Sequence, residues 1–507
     1  MKGGWALLRR RDFGLLWAGG LISETGDWFL LVGLPVWVFQ LTGSSLVTAT
    51  VFLVGLLPGL VVGPLAGVLV DRWDRRRTLV AVSLAQAAFL LPLLAVDGRD
   101  RLWVVYLVMA VEAALGQLND PARNALVPSL VPPGDLVGAN ALIGLTSNLA
   151  RLTGSPLGGV LVDLAGLPGL VIGDAVSFLA GAGLLALVGR RARPSATGSS
   201  GPPAVAPTGP PADGPLAVAP TSAGPIPTSP GARANAASRC ETPRRGSVAD
   251  RELGRSRVST APGPADPGPA DPGPAAPGPA DPGAAAPGPA RDFVREWLDG
   301  LRATVRDHGL RWGLVVDGMA AVAQGIVTVL FVLFVTRELG GDGAQVGLLR
   351  GVQAIGGLAG GVLVVGLARR LEPGRLLGTS LLVFGLISLA IWSGPALTTA
   401  GWLYLVLFMA AGIPGIGFLT GLTALVQERT PDAYLGRALA TFLGSFNGLM
   451  ALGMLLAGLL GDAVGVVPVL NGQAVLYLLT GLLALATLGR ARLGYPWAEK
   501  RARMPLA

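Results

Sequence analysis

Gly67-Val68-Leu69-Val70-Asp71-Arg72-Trp73-Asp74-Arg75-Arg76-Arg77 sits between two long apolar runs, and a looser version, Gly360-Gly361-Val362-Leu363-Val364-Val365-Gly366 with Arg369-Arg370, closes another such run in the second half of the chain. A knot of charge cannot enter hydrocarbon without a large free-energy cost, whereas the runs on either side are long enough to cross it. The pattern therefore predicts helices joined by a short polar turn, with the unit occurring once in each half of a membrane protein.

Composition points the same way. Hydrophobic residues make up 51% of the 507 residues and charged residues only 14%, with 75 glycines scattered through Leu-, Val- and Ala-rich segments. That is the usage of closely packed transmembrane helices, and a soluble chain of this length carries more charge. The formal net charge of +8 comes mostly from arginines in short stretches between apolar segments, where they orient helices; nucleic acid is not an expected partner. Cys240 is the single cysteine and His308 the single histidine. No intramolecular disulfide can form, thiolate metal sites are excluded, and no metal or other cofactor is expected.

A helix crossing ~30 Å of hydrocarbon needs roughly 20 residues. Spans are expected near 13–40, 45–70, 78–96, 102–119, 138–163 and 169–188, and again near 312–336, 344–367, 376–394, 401–426, 437–462 and 470–489. The first has no small-x-small cleavage site and outruns a signal-peptide core, so it is expected to be retained. Lys2 with Arg9 to Arg11, Arg72 with Arg75 to Arg77, Arg123, the 189–311 segment, Arg369, Arg370, Arg375, Arg429, Arg437 and the tail from Arg490 fall on one side. The other side holds little beyond Arg99, Arg101 and Arg337, so both termini are expected in the cytoplasm of a bacterial cell, in its inner or plasma membrane.

The expected organisation is an N-terminal six-helix bundle (1–190), a linker (191–291), an amphipathic lead-in helix (292–311), a C-terminal six-helix bundle (312–490) and a basic tail (491–507). The linker is dominated by Pro, Ala, Gly and Ser and ends in repeats such as Pro264-Ala265-Asp266-Pro267-Gly268. It has too little apolar surface to offset chain entropy, and is expected to be a disordered cytoplasmic tether. In the lead-in, Phe293, Trp297, Leu301 and Val305 recur at helical spacing among charges, as on a helix lying at the membrane surface.

The halves can be laid in register. Gly154-Ser155-Pro156-Leu157-Gly158-Gly159-Val160-Leu161-Val162-Asp163 in the fifth span matches Gly453-Met454-Leu455-Leu456-Ala457-Gly458-Leu459-Leu460-Gly461-Asp462 in the eleventh. Corresponding spans run in the same direction, giving parallel repeats about an axis normal to the membrane. Here the chain resembles the major facilitator superfamily, whose signature between the second and third helices is Gly-x-x-x-Asp-Arg-x-Gly-Arg-Arg. Gly67, Asp71, Arg72, Arg75 and Arg76 match it, and Asp74 stands where glycine is usual. Within the superfamily it is similar to the macrolide-efflux and enterobactin-exporter branch of drug:proton antiporters, through Leu16-Trp17-Ala18-Gly19, Gly26-Asp27-Trp28-Phe29, Leu41-Thr42-Gly43-Ser44, Asn119-Asp120-Pro121-Ala122-Arg123-Asn124-Ala125-Leu126 and Asn148-Leu149-Ala150-Arg151. Exporters of the family usually carry Gly-Pro-x-x-Gly-Gly in the fifth helix; here the proline of Gly154, Pro156, Gly158, Gly159 comes one place late. The resemblance implies an all-α membrane protein of 12 transmembrane helices in two six-helix bundles, with the long linker between them.

Two sets of site residues follow. Asp71 at a helix end can accept from the N-terminal amides of a neighbouring helix. Arg72, Arg75 and Arg76, with Arg123, can then pair with a cytoplasmic carboxylate such as Asp120 to form a latch that breaks in the other state. Driving transport needs a titratable group within the membrane. Asp27 lies about 14 residues into the first span and Glu112 about 10 into the fourth, near mid-depth at 1.5 Å per residue. Arg151, in the fifth span, is their expected cationic partner, and Glu24 can share the role. Asp163 and Asp462, at the outer ends of their helices, are expected to pair with loop groups. The expected function is therefore export of amphipathic small molecules of drug or macrolide type by alternating access in exchange for protons, by a monomer in the lipid bilayer. A siderophore or other secondary-metabolite exporter is the alternative within transport, and a non-transporting membrane sensor the alternative from another class. A membrane enzyme is not expected, because no reactive constellation is present.

Overall fold

The computed structural model describes residues 5–189, 305–368 and 370–489, and within them leaves the surroundings of a few residues, including Gly67 and Asp71, undescribed. The linker, the lead-in helix up to residue 304 and the basic tail thus lie outside the described residues. Among the described residues every regular element is helical. In chain order these are α1 (Arg11–Thr42), α2 (Ser45–Arg72), α3 (Arg75–Leu90), α4 (Leu102–Gly116), α5 (Asn119–Leu130), α6 (Leu136–Ala186), α7 (His308–Leu333), α8 (Gly343–Ala368), α9 (Pro373–Ser393), α10 (Gly401–Arg429), α11 (Asp432–Ala463) and α12 (Val466–Thr487).

Ten helical stretches are long and apolar enough to cross a membrane. One of them, Pro133–Ala186, runs 54 residues, far more than one crossing needs, and Gly166 within it adopts φ 60°, ψ −153°. Such a backbone is strained for any residue with a Cβ, so the chain turns back there into two arms, 136–165 and 167–186. With α2, 28 residues long, the twelve expected crossings are accounted for. Prolines set most of the departures from the expected boundaries. Pro121 has no N–H to offer the Gln117 carbonyl, so the fourth crossing breaks at Gln117–Leu118 and continues as α5 to Leu130. Pro92 likewise ends α3 in a 3-10 turn over Leu91–Ala95. The seventh crossing starts earlier than expected, at His308, because the Asp307 side chain accepts from the Leu310 amide (2.8 Å) and caps the helix.

Glycine faces assemble the first half. Gly154 and Gly158 on the first arm of α6 meet α1 so closely that a Cβ there would lie 2.5 Å from the Thr25 carbonyl oxygen and 2.6 Å from the Phe29 Cα. On the second arm, Gly181 faces Gly19, Asp174 and Ser177 face Gly26, and Leu170 faces Gly33. The rising numbers in the first set and falling numbers in the second mean that α1 lies between one parallel and one antiparallel arm. Close backbone approach of this kind replaces the hydrophobic drive that water would supply to a soluble bundle. In the second half, Gly453 of α11 packs against the Val322 backbone of α7 just as Gly154 packs on α1, in the register that the sequence repeat predicts. Aromatic packing also holds this half: Phe334 meets Trp392 edge-on at 4.8 Å between centroids, and the Trp392 indole donates to Gln473 Oε1 (3.0 Å).

Large apolar side chains face outward, among them Leu164, Val362 and Leu397 at 81%, 78% and 90% exposure, as a lipid-facing surface requires. Trp103 and Trp402 stand exposed at the starts of their helices, where interfacial tryptophans collect. One end of the bundle carries the start of α1 and the ends of the sixth and twelfth crossings: the Gly189 amide donates to Asp12 (3.0 Å) and Arg375 to the Gly489 carbonyl (2.9 Å). We call this the terminal end and the other the turn end.

Candidate functional site: a charged cavity between the two halves

A cavity of about 710 Å³ opens between the halves. It extends from Leu16, Leu79 and Leu185, near the terminal end, to Pro35 and Val51. The first half contributes Glu24, Asp27, Glu112, Asp120 and Asp174; the second half contributes Gln324, Thr328, Arg350, Met450 and Met454. The first-half wall thus carries an excess of carboxyls, with Arg123 beside Glu24, and the second-half wall carries the Arg350 guanidinium.

The carboxyls are held in different ways. Asp27 presents its side chain to the cavity from the middle of α1. Glu112 is buried at 8% exposure; its Oε2 accepts from Gln86 Nε2 (3.1 Å), and Gln86 Oε1 accepts in turn from Asn119 (3.4 Å). Its Oε1 has no hydrogen-bond partner among the described residues. Glu24 forms an ion pair with Arg123 and accepts from Ser147 Oγ (3.0 Å), tying α1 to α5 and α6. Asp174 is wholly buried against Gly26; its Oδ1 accepts from Ser177 Oγ (3.2 Å), and its Oδ2 has no partner among the described residues. A carboxyl in this setting, shielded from water and from a counter-charge, is a group whose proton occupancy carries a large free-energy consequence.

Arg151 is not where the expectation placed it. Its guanidinium reaches across to the second half, bonding the Gln353 side chain and donating from Nε to the Arg350 carbonyl (3.3 Å), with Trp28 stacked at 5.5 Å. It forms no ion pair with Asp27 or Glu112 among the described residues. The reason is reach: Arg151 shares the α1-facing side of α6 with Gly154 and Gly158, and its long side chain passes over Trp28 to α8. Arg123, expected in the latch, instead neutralises Glu24.

Two other arginines of the expected latch are also engaged elsewhere in this conformation. They bind backbone within their own half: Arg75 donates to the Ala125 carbonyl (2.8 Å), and Arg76 to the Leu185 (3.2 Å) and Ala186 carbonyls at the C-terminus of α6. The last carbonyls of a helix lack intrahelical donors and carry the negative end of its dipole, which accounts for the second set. Asp120 faces the cavity and pairs with none of them among the described residues. Asp74, which stands where the signature has glycine, caps α3 through the Arg77 amide (2.8 Å).

The two halves close on each other at the turn end. Asp462 of α11 accepts from the Ser45 amide (2.9 Å), the Leu46 amide (3.2 Å) and Ser44 Oγ (3.0 Å) at the start of α2. Asp163 of α6 accepts from the Gly343 (3.0 Å) and Ala344 (2.6 Å) amides at the start of α8. Each carboxylate therefore caps a helix of the opposite half, where the macrodipole favours negative charge; these are helix N-termini rather than the loop groups expected. Below the caps, Pro156 and Gly159 of α6 meet Gly351 and Gly343 of α8, and Gly458 of α11 meets Leu46 and Ala49 of α2.

Two ionisable residues that line the cavity escaped the sequence reading. Asp174 and Arg350 are ionisable residues inside expected spans, so the rule that selected Asp27 and Glu112 also selects them. What the sequence lacks is any sign that they face the same cavity.

Comparison with known proteins agrees with this architecture. The first half, residues 2–199, matches the family described as Transmembrane secretion effector, and residues 314–504 match that described as Major Facilitator Superfamily. The chain belongs to the major facilitator superfamily. Macrolide efflux protein A of Streptococcus pyogenes is 33% identical over 126 residues, 24% of this chain and 31% of that protein. Multidrug efflux pump Tap of Mycolicibacterium fortuitum is 30% identical over 164 residues, 30% of this chain and 39% of that protein. The matched stretches thus span about a third of the relatives' own length. Among solved structures, a bacterial homologue of the iron transporter ferroportin in an inward-facing state shares the fold with a TM-score of 0.60 at 15% identity, covering 95% of this chain and 99% of that one. The nucleoside transporter NupG does so with a TM-score of 0.60 at 12% identity, covering 95% and 99%. These neighbours are transporters, not enzymes.

Proposed function

We propose that this protein is a secondary exporter that moves amphipathic small molecules of drug or macrolide type out of a bacterial cell by alternating access, in exchange for protons, as a monomer with both termini in the cytoplasm. The observation that carries the reading is the cavity between the halves. Its volume suits a drug-sized molecule, and its wall combines adaptable apolar groups (Met109, Met450, Met454, Trp28, Phe52) with a carboxyl cluster. The names of the relatives, a macrolide efflux protein and a multidrug efflux pump, support export. The arginine excess at the terminal end supports its cytoplasmic placement.

In this reading the conformation faces inward, since the turn end is capped by Asp163 and Asp462 while the cavity reaches toward the terminal end. Substrate enters from the cytoplasm and the caps break as the outer end opens. Asp71 then accepts from the N-terminal amides of a neighbouring helix while Arg72, Arg75 and Arg76 pair with Asp120 to latch the inner end. Asp27 and Glu112, with Asp174 beside them, exchange a proton between the two states, because a carboxyl changes its charge, and so its cost in a dry cavity, as the cavity moves from one bath to the other. Glu24, paired with Arg123, holds the cluster's charge balance.

The test is uptake of a panel of dyes and macrolides into inside-out vesicles with and without an imposed proton gradient. Uptake that collapses with the gradient is expected, and Asp27→Asn should abolish that uphill component while retaining downhill exchange. Uptake indifferent to the gradient removes protons from the mechanism, and absence of uptake across the panel removes export of such molecules.

A further inference from the structure

A second, smaller cavity of about 240 Å³ adjoins the first, and Gln324 and Arg350 line both, so it forms a side chamber of the main one. Its polar wall holds two guanidinium groups, Arg151 and Arg350, from opposite halves. Neither has a carboxylate within ion-pair distance among the described residues. Arg151 is held by Gln353 and by the Arg350 carbonyl, and Arg350 lies over the Phe331 ring at 5.7 Å, so both are positioned by neutral groups. The rest of the wall is largely apolar and includes the rings of Phe384, Trp392 and Phe408 beside Val327, Ile391 and Ile416. Two like charges brought together in a water-poor chamber repel each other and are each costly to bury. A visiting anion relieves both effects, and the planar fork of arginine matches a carboxylate or phosphate two oxygens at a time.

We infer that the side chamber is the subsite for an oxyanion carried on a flat apolar group, and that the transported molecules are zwitterionic: cation toward the carboxyls of the first half, carboxylate or phosphate between Arg151 and Arg350. The inference rests on the exporter reading and narrows its substrate class. A chamber of this size holds a ring with its acid group rather than a whole drug-sized molecule, which leaves the cationic body in the main cavity. Binding of such a ligand also engages both halves at once, through an arginine from each, and so couples occupancy to their relative motion.

The source of the oxyanion is a solute in this reading; the alternative source is the headgroup of an anionic lipid, and the test separates them. The purified full-length protein is placed in phosphatidylcholine nanodiscs, and the Kd values of rhodamine B and its ethyl ester are measured by fluorescence anisotropy. The two dyes share a cationic ring system and differ in one free carboxylate. The acid should bind about tenfold more tightly than the ester, equivalent to about 1.4 kcal/mol. The preference should shrink toward one in Arg350→Gln and in Arg151→Gln, and octyl phosphate should displace the acid from wild type. This competition needs no variant and so stands if a substitution prevents folding. Equal affinities of wild type for both dyes, or a preference that survives in folded variants, overturn the subsite and leave export standing. Binding of neither dye overturns the exporter reading for amphipathic cations and the subsite with it. Loss of the acid's preference when phosphatidylglycerol is added to the nanodiscs assigns the chamber to lipid and overturns the solute.

Discussion

Replacing Asp163 and Asp462 together by Asn should open the turn end. Each carboxylate accepts two or three hydrogen bonds from the first residues of a helix in the opposite half. Asparagine keeps one accepting oxygen but loses the charge that the helix dipole favours and the strength that charge adds to each bond. A charge at a helix N-terminus contributes about 0.3–1 kcal/mol, rising to about 2 where partly buried, and charge-assisted bonds are roughly twice as strong as neutral ones. A loss of about 1.5 kcal/mol per cap is then reasonable, and because the caps share no partner the double variant should lose about 3 kcal/mol of closure. At about 1.4 kcal/mol per tenfold, the open-to-closed ratio should rise roughly a hundredfold. A closed state favoured by that factor would become about half populated. Spin labels on Gln40 of α1 and Val464 after α11, in a Cys240→Ser background, would report the separation as a second, longer distance. A double variant that folds and retains the wild-type distance distribution would refute the assignment of closure to the caps.

Three further outcomes follow from the packing and the ion pairs. Gly453→Ala places a Cβ against the Val322 carbonyl, which backbone packing holds, and overpacking of this kind costs about 1–3 kcal/mol; the unfolding temperature in detergent should drop, whereas Gly415→Ala, with nothing within 4 Å, should leave it near wild type. Glu24→Gln leaves Arg123 without its counter-charge at 10% side-chain exposure, a loss of up to about 3–5 kcal/mol for a buried pair, and Glu24→Gln/Arg123→Gln should recover much of the yield and thermal stability. Glu112→Gln and Arg151→Gln, by contrast, should behave independently, because Arg151 bonds Gln353 and the Arg350 carbonyl; recovery of stability or of proton-driven efflux in their double variant would show that the two side chains pair in the working protein.

The crossings were legible in the sequence because insertion into hydrocarbon depends on the apolar content of each segment taken alone, whatever its neighbours. The repeat was legible for a related reason. Gly154 and Gly453, Asp163 and Asp462 occupy matching places in two copies of one fold, and the structure gives each pair the same task. The turn at Gly166 lies at the join between two expected spans, where a change of direction was required. The partners of the charges were not legible. Glu24 with Arg123, Arg151 with Gln353, the buried Asp174 and the cavity-facing Arg350 depend on how each helix is rotated about its axis and where it crosses its neighbours. Helices that are apolar on every side carry no polar stripe from which that rotation could be read. The same holds for helix capping across the halves: the sequence does not show that the carboxylates of Asp163 and Asp462 meet the first amides of α8 and α2. Only the packing of the halves brings those N-termini within reach.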